Sequence, residues 1–300
     1  MPVTALVSAK SSGVTTSALA LTLASKRPSL LAECDPAGGT VRAGFLEGEV
    51  TAGYGLYHLA AAERTSPDAL AQAFASHLWD LDEAGHRKLL PGLTDPAQAA
   101  ALTRTWASLA EVMQVLAGDD EHDVSIDASR LAFDVFIDAG RLAFESGHLH
   151  TTLTPAPLLH QADLVLLVVR GTEQSLTLAR HVIEPLRTEL AKHGSGSDVL
   201  GLLLIEDGPN RSHRVAQVLE TPVLAGLPHD PATAAYLTCG GNQPRNYSRS
   251  PLLKHARTAT EQIEAAVSRR LIQQQYPPRP TNPQLAGVLQ RLSAKRGRRG

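Results

Sequence analysis

The sequence predicts an α/β protein built on a mostly parallel twisted sheet with helices on both faces. Two observations carry that expectation. Short runs rich in leucine and β-branched residues alternate with longer stretches of helical periodicity, and strands buried on both faces read as such apolar runs. The 300 residues are also 43% hydrophobic and 19% charged, the balance of an ordinary globular chain large enough for one sizeable core.

In chain order, strands are expected at Val3–Ala9, Leu30–Cys34, Lys88–Leu93, Phe133–Asp138, Leu164–Arg170, Val199–Ile205 and Val223–Leu227. The third is short because Pro91 and Gly92 stop it. Helices are expected at Ser17–Ser25, Pro96–Leu116, Glu173–Lys192, Arg211–Leu219 and Pro251–Gln275. Residues 1–275 then form the α/β domain. "YPPRPTNP", residues 276–283, reads as a stiff polyproline-type linker. In residues 284–300, Leu285, Val288, Leu289 and Leu292 make one apolar stripe flanked by cations, an amphipathic basic tail.

Charge divides along the same line. From Ala265 onward there is no acid and there are eight basic residues, so a chain of net charge −2 carries −10 on residues 1–264. Such a tail suits an anionic membrane surface or nucleic acid. Cys34 and Cys239 form no metal pattern or disulfide framework. With no secretory leader and no unbroken apolar run long enough to span a bilayer, a cytoplasmic protein, at most peripheral to a membrane, is expected. His58, His77, His86, His148, His150, His160 and His229 show no metal-ligand spacing and read as surface or packing residues. No nucleophile elbow of the G-x-S-x-G kind is found.

Three segments carry the candidate chemistry. In "LVSAKSSGVTTSALALTLA", residues 6–24, a strand enters a loop of small residues and a helix follows, the layout of a phosphate-binding loop. Ser11, Ser12 and Gly13 are small enough for close backbone approach, and Thr15, Thr16 and Ser17 offer hydroxyls for capping or for Mg2+. In "LLAECDPAGG" a strand delivers Asp35 to a glycine-rich turn at the same rim. In "FDVFIDAGR" an apolar strand ends in Asp138, the place of the acid that holds Mg2+ through water.

Taken together, these segments resemble the MinD/ParA group of P-loop ATPases, which position cell-division, partition, flagellar and pilus machinery. "SAKSSGVTTSALALTLA" is similar to their deviant loop K-G-G-x-G-K-T-T, and "ECDPAGG" to their D-x-D-P-x-G segment. "ADLVLLVVRGTEQSLTLAR" and "TPVLAGLPHDPATAAYLTCGG" resemble two later segments in the family's order. The resemblance implies a homodimer that sandwiches ATP with Mg2+. It places Lys10 on the signature lysine that reaches the partner's phosphates and Asp35 on the acid that positions the attacking water. Thr16 falls on the Mg2+-ligating hydroxyl and Asp138 on the Mg2+-linked acid. The chain departs from the pattern where Ser11 and Ser12 replace a glycine pair and Thr15 replaces the phosphate-binding lysine. In a shifted register Gly13 is the last loop glycine and Val14 stands where lysine should be. Glu206 and Asp207 stand where an adenine-reading asparagine is usual.

Losing the lysine removes a charge-assisted contact worth about 1.5–3 kcal/mol, and losing glycines restricts the positive φ values that let N–H groups converge. Weak binding of ATP or ADP and slow or absent hydrolysis are therefore expected. The functional expectation is a pseudo-ATPase scaffold for a secretion, pilus, conjugation or partition machine at membrane or DNA. Alternatives are a working partition ATPase that relies on Lys10 and a nucleic-acid adaptor acting through residues 284–300.

Overall fold

The computed structural model describes residues 1–118 and 132–275; the linker and basic tail expected over 276–300 lie outside the described residues. The elements in chain order are β1 (Val3–Ser8), α1 (Val14–Ala24), β2 (Ser29–Glu33), α2 (Leu59–Glu63), α3 (Pro67–Ser76), β3 (Trp79–Asp80) and β4 (Arg87–Leu90). There follow α4 (Thr105–Ala117), β5 (Asp134–Arg141), β6 (Phe144–Glu145), β7 (His148–Leu149), α5 (Ala156–Gln161) and β8 (Leu164–Arg170). The last are α6 (Glu173–His193), β9 (Leu200–Glu206), α7 (Ser212–Leu219), β10 (Val223–Pro228), α8 (Pro231–Cys239) and α9 (Pro251–Gln275).

Eight strands make one sheet in the order β10-β9-β8-β1-β5-β2-β4-β3. Every pairing is parallel except that of the short edge strand β3 with β4. Both faces are covered, as the unbroken apolar strands require. Along β1, Val3, Ala5 and Val7 enter one core cluster and Leu6 the other; along β8, Val165, Leu167 and Val169 separate in the same way from Leu164, Leu166 and Val168. The first face packs against α4, α5 and α6 through Trp106, Met113, Leu159 and Leu186, and the second against α1 and α9 through Leu19, Leu21, Ala256 and Ile263. Truncating a fully packed residue such as Ile263 to alanine costs about 2–5 kcal/mol in cores of this kind.

Several boundaries differ from the sequence expectation, each for a local reason. The helix expected over Pro96–Leu116 is a 3-10 segment, Pro96–Leu102, followed by α4. A period of three lines up the buried Ala99 and Leu102 on the core. Strand β4 ends at Leu90 because Pro91 has no N–H to continue the ladder. Helix α8 was unexpected, yet its start signals are complete: Asp230 accepts from Thr233 N at 3.2 Å, and Pro231 occupies the first turn. The β6–β7 hairpin turns through Ser146 and Gly147, both at positive φ, the requirement of a two-residue type I′ turn.

Because the strands are parallel, the ends of β1, β2, β5, β8, β9 and β10 open on one rim, where an open α/β sheet binds its ligands.

Candidate functional site

The loop after β1 leads directly into α1, which begins at Val14 rather than at Ser17. Gly13 precedes it in the left-handed region, φ 92°, a conformation L side chains rarely adopt. As a cap without a side chain it leaves the first N–H groups of α1 without a side-chain acceptor. The buried Ser12 hydroxyl donates to Lys10 O at 2.8 Å and stiffens the loop, while Ser17 Oγ donates back to Gly13 O at 2.7 Å. The Lys10 side chain is exposed on the rim.

Three carboxylates meet beneath this loop. Asp138, buried in β5, accepts from Thr15 Oγ1 at 2.5 Å and from Gly140 N at 3.0 Å. Burial pushes its pKa up to about 7; the Thr15 hydroxyl opposes the rise, and the charges of Asp35 and Glu33 add to it. Asp35 also sits above the usual carboxylate range through burial, against the pull of the Ala37 N–H and of Arg141. Its carboxyl lies on Gly140, where a Cβ would come within 2.1 Å of Asp35 Cγ; only glycine fits beneath it. Glu33 is fully enclosed and accepts from Thr40 N, Val41 N and Gly92 N at 2.8, 2.9 and 3.0 Å. It ties the loop after β2 to the end of β4.

The hydroxyls divide between two directions. Thr15, not Thr16, faces Asp138; Thr16 Oγ1 lies 3.0 Å from Thr238 Oγ1 on α8. The resemblance placed Thr16 on the Mg2+-ligating hydroxyl, yet the hydroxyl bonded to Asp138 is that of Thr15. With α1 starting at Val14, the step of one residue from Thr15, about 100° around the helix, turns Thr16 toward α8. Beside the loop, Arg170 at the end of β8 pairs with Asp207 at 2.6 Å, and its Nη2 would lie 4.0 Å from a Cβ on Gly13. A cavity of about 280 Å³ runs between Ser12, Gly13, Thr16, Arg170, His229 and Thr238. Asp207, at a position where the motif has adenine recognition, is thus a partner of Arg170, and Asn210 is held by Gly171 O and Glu173.

Sequence reasoning missed Glu33, Arg170 and Thr238. Glu33 and Arg170 had a signal: each is a charge at the end of an apolar strand that opens on the loop's rim. Thr238 had none. His148 and His160, read from sequence as surface or packing residues, both lie beside the buried Glu189 together with His193.

No family profile matches the sequence, and no curated protein matches it. Solved structures do. A ParA family ATPase from Chlorobium tepidum superposes with a TM-score of 0.58 at 15% identity, covering 89% of this chain and 98% of that one. MinD from Aquifex aeolicus gives 0.59 at 16% identity, over 88% and 98%. The chain has the MinD/ParA fold. The septum site-determining MinD of Pyrococcus horikoshii, complexed with Mg-ADP, likewise gives 0.59 at 17% identity over 88% and 96%. At these identities the likeness is one of fold.

The residues in this MinD/ParA fold do not fit a Mg2+-nucleotide held in the way the motif requires. No lysine occurs between Ser11 and Ser17. Val14 is buried in the core beneath the loop, the Thr15 hydroxyl is bonded to Asp138, and that of Thr16 meets Thr238. Among the described residues no helix is long and apolar enough to cross a membrane.

Proposed function

We propose that the protein is a MinD/ParA-like spatial organiser or dimeric scaffold whose phosphate loop binds nucleotide weakly and hydrolyses ATP slowly or not at all. The observation that carries this is the side-chain bond between Thr15 and Asp138 in a segment with no lysine between Ser11 and Ser17. It joins the hydroxyl next to the loop directly to the acid that would otherwise serve Mg2+ through water. A Mg2+ ion would have to break that bond and take a proton from a carboxyl whose pKa is about 7. In this reading the chain works as a homodimer that recruits a secretion, pilus, conjugation or partition machine. Residues 284–300 add contact with an anionic membrane or with nucleic acid. Its support is the shared fold, together with the site that the fold retains in altered form.

One observation favours a second reading, a chain that still binds nucleotide and drives partition. The Arg170 guanidinium lies over the start of α1, where it could supply the positive charge lost with the lysine. Lys10 and Asp35 would then carry the remaining phosphate and water contacts. Calorimetric titration of the full chain with Mg-ATP and Mg-ADP, with light scattering to follow dimerisation, separates the two. Hydrolysis above background that is lost in Lys10→Ala and Asp35→Ala supports the second reading and overturns the first.

A further inference from the structure

At the rim opposite the loop, where α6 returns toward the start of β9, three histidines surround one buried carboxylate. Glu189 is 6% exposed. His148 Nδ1, on the β6–β7 hairpin, stands 3.2 Å from Glu189 Oε2. His160 Nε2, at the end of α5, stands 3.4 Å from Oε1, too poorly directed to count as a hydrogen bond although the nitrogen is buried. His193 follows Glu189 by four residues on α6 and so lies on the same helix face. Ligand atoms of His148, Glu189 and His193 all fall within 4.8 Å of one another.

A buried carboxylate is costly unless something cationic faces it. Among the described residues no lysine or arginine pairs with Glu189; its polar neighbours are imidazoles. Two imidazole nitrogens and one carboxylate oxygen are the donor set of a borderline divalent transition ion, with metal–ligand bonds near 2.0–2.2 Å. Tetrahedral ligands at such bond lengths sit roughly 3.3–3.5 Å apart, so the atoms must close in slightly. The exposed His148 and His193 are free to make that adjustment by side-chain rotation.

We propose that His148, Glu189 and His193 form a binding site for a divalent ion of the Zn2+ class. His160 stands beside the carboxylate's other oxygen, and water completes the coordination. The ion clamps the β6–β7 hairpin to α6. This site is remote from the nucleotide loop and does not depend on the function proposed for that loop.

The test uses the untagged full chain, freed of metal by chelation, and titrates it with ZnCl2 by calorimetry and with CoCl2 by visible absorption. The expected result is one Zn2+ per chain, intense visible bands of low-symmetry Co2+, and a Tm that rises with Zn2+. His148→Ala, on an exposed hairpin position outside the core, should weaken Zn2+ binding at least tenfold. His193→Ala should do the same and also abolish the Co2+ bands, whereas His86→Ala should leave both unchanged. Zn2+ binding and thermal shift that persist unchanged in the His148→Ala/His193→Ala double variant would overturn the proposal, as would the absence of stoichiometric binding to the unsubstituted chain.

Discussion

Thr15 on α1 donates its hydroxyl to Asp138 on β5 at 2.5 Å, so the helix behind the loop is tied to the central strand by a side chain the motif would assign to another task. The bond has an energetic consequence that can be measured. Removing the donor leaves one oxygen of a buried carboxyl without its partner, and such a loss costs about 1–3 kcal/mol. Thr15→Val, which keeps the shape of the side chain, is expected to lower stability to urea by that amount. Thr16→Val faces the more exposed Thr238 and should cost under about 1 kcal/mol. Equal losses would show that the two hydroxyls are interchangeable.

Asp138 also sets a pH dependence. In the folded chain it holds its proton to about pH 7, against 3.8 for an ordinary aspartate. Between those values the folded form binds the extra proton, so this group's contribution is full below about pH 4 and is lost as the pH rises to 7. Asp138→Asn keeps a side chain able to bond Thr15 and Gly140 but cannot ionise. Relative to the unsubstituted chain it should gain stability as pH rises from 4 to 8, by up to about 4 kcal/mol. Chemical denaturation at several pH values reads the difference curve, and parallel curves would remove Asp138 as its source.

Glu33 is a structural carboxylate in a segment that resembles a functional one. Its oxygens collect three backbone N–H groups, from Thr40, Val41 and Gly92, and Gly39 packs so closely that a Cβ there would come within 2.8 Å of Gly92 Cα. Glu33→Ala leaves the buried Val41 and Gly92 N–H groups and the part-buried Thr40 N–H unpaired, at an expected cost of about 3 kcal/mol. Amide exchange of Thr40, Val41 and Gly92 should accelerate before that of the β1 core amides. Uniform acceleration across the sheet would mean that Glu33 does not anchor this loop in particular.

The sheet was legible because its strands are unbroken apolar runs, and burial on both faces leaves such runs few alternatives. Leu164–Arg170 is found with the bounds expected from its sequence. Short elements were not legible: β6 and β7 are held by two residues each and by a turn at Ser146–Gly147, too brief for periodicity to register. Helix α8 was hidden for a different reason, since its Ala-rich sequence carries no amphipathic pattern although Asp230-Pro231 announces its start. At the candidate site, Asp35 lies two residues past the end of β2 as a strand-to-turn acid should, whereas Asp138, expected as a strand end, is inside β5, which runs on to Arg141. Which threonine faces Asp138 could not be read from sequence, because that depends on where α1 starts to within one residue, and each residue turns a helix by about 100°. The gathering of His148, His160 and His193 spans three elements, and sequence spacing holds no trace of it.

That helical phase makes the last prediction sharp. In the register with Gly13 as the last loop glycine, Val14 stands where the lysine should be; its side chain is buried against the core, so a lysine there would have to run its four-carbon stem out to the loop. Restoring positive charge there should restore phosphate affinity, since a charge-assisted bond of about 1.5–3 kcal/mol corresponds to roughly ten- to a hundredfold in binding. Val14→Lys is therefore expected to tighten Mg-ATP binding at least tenfold in calorimetric titration. Thr15→Lys, which delivers its ammonium to Asp138 beneath the loop, should pair with that carboxyl and leave nucleotide affinity within about threefold of the unsubstituted chain. The reverse outcome would place Thr15 on the lysine position and restore Thr16 as the hydroxyl for Mg2+. Arg170→Ala in the Val14→Lys background provides the internal comparison. If Arg170 already supplies the charge over α1, its loss should matter in the unsubstituted chain and much less in the chain that carries the introduced lysine.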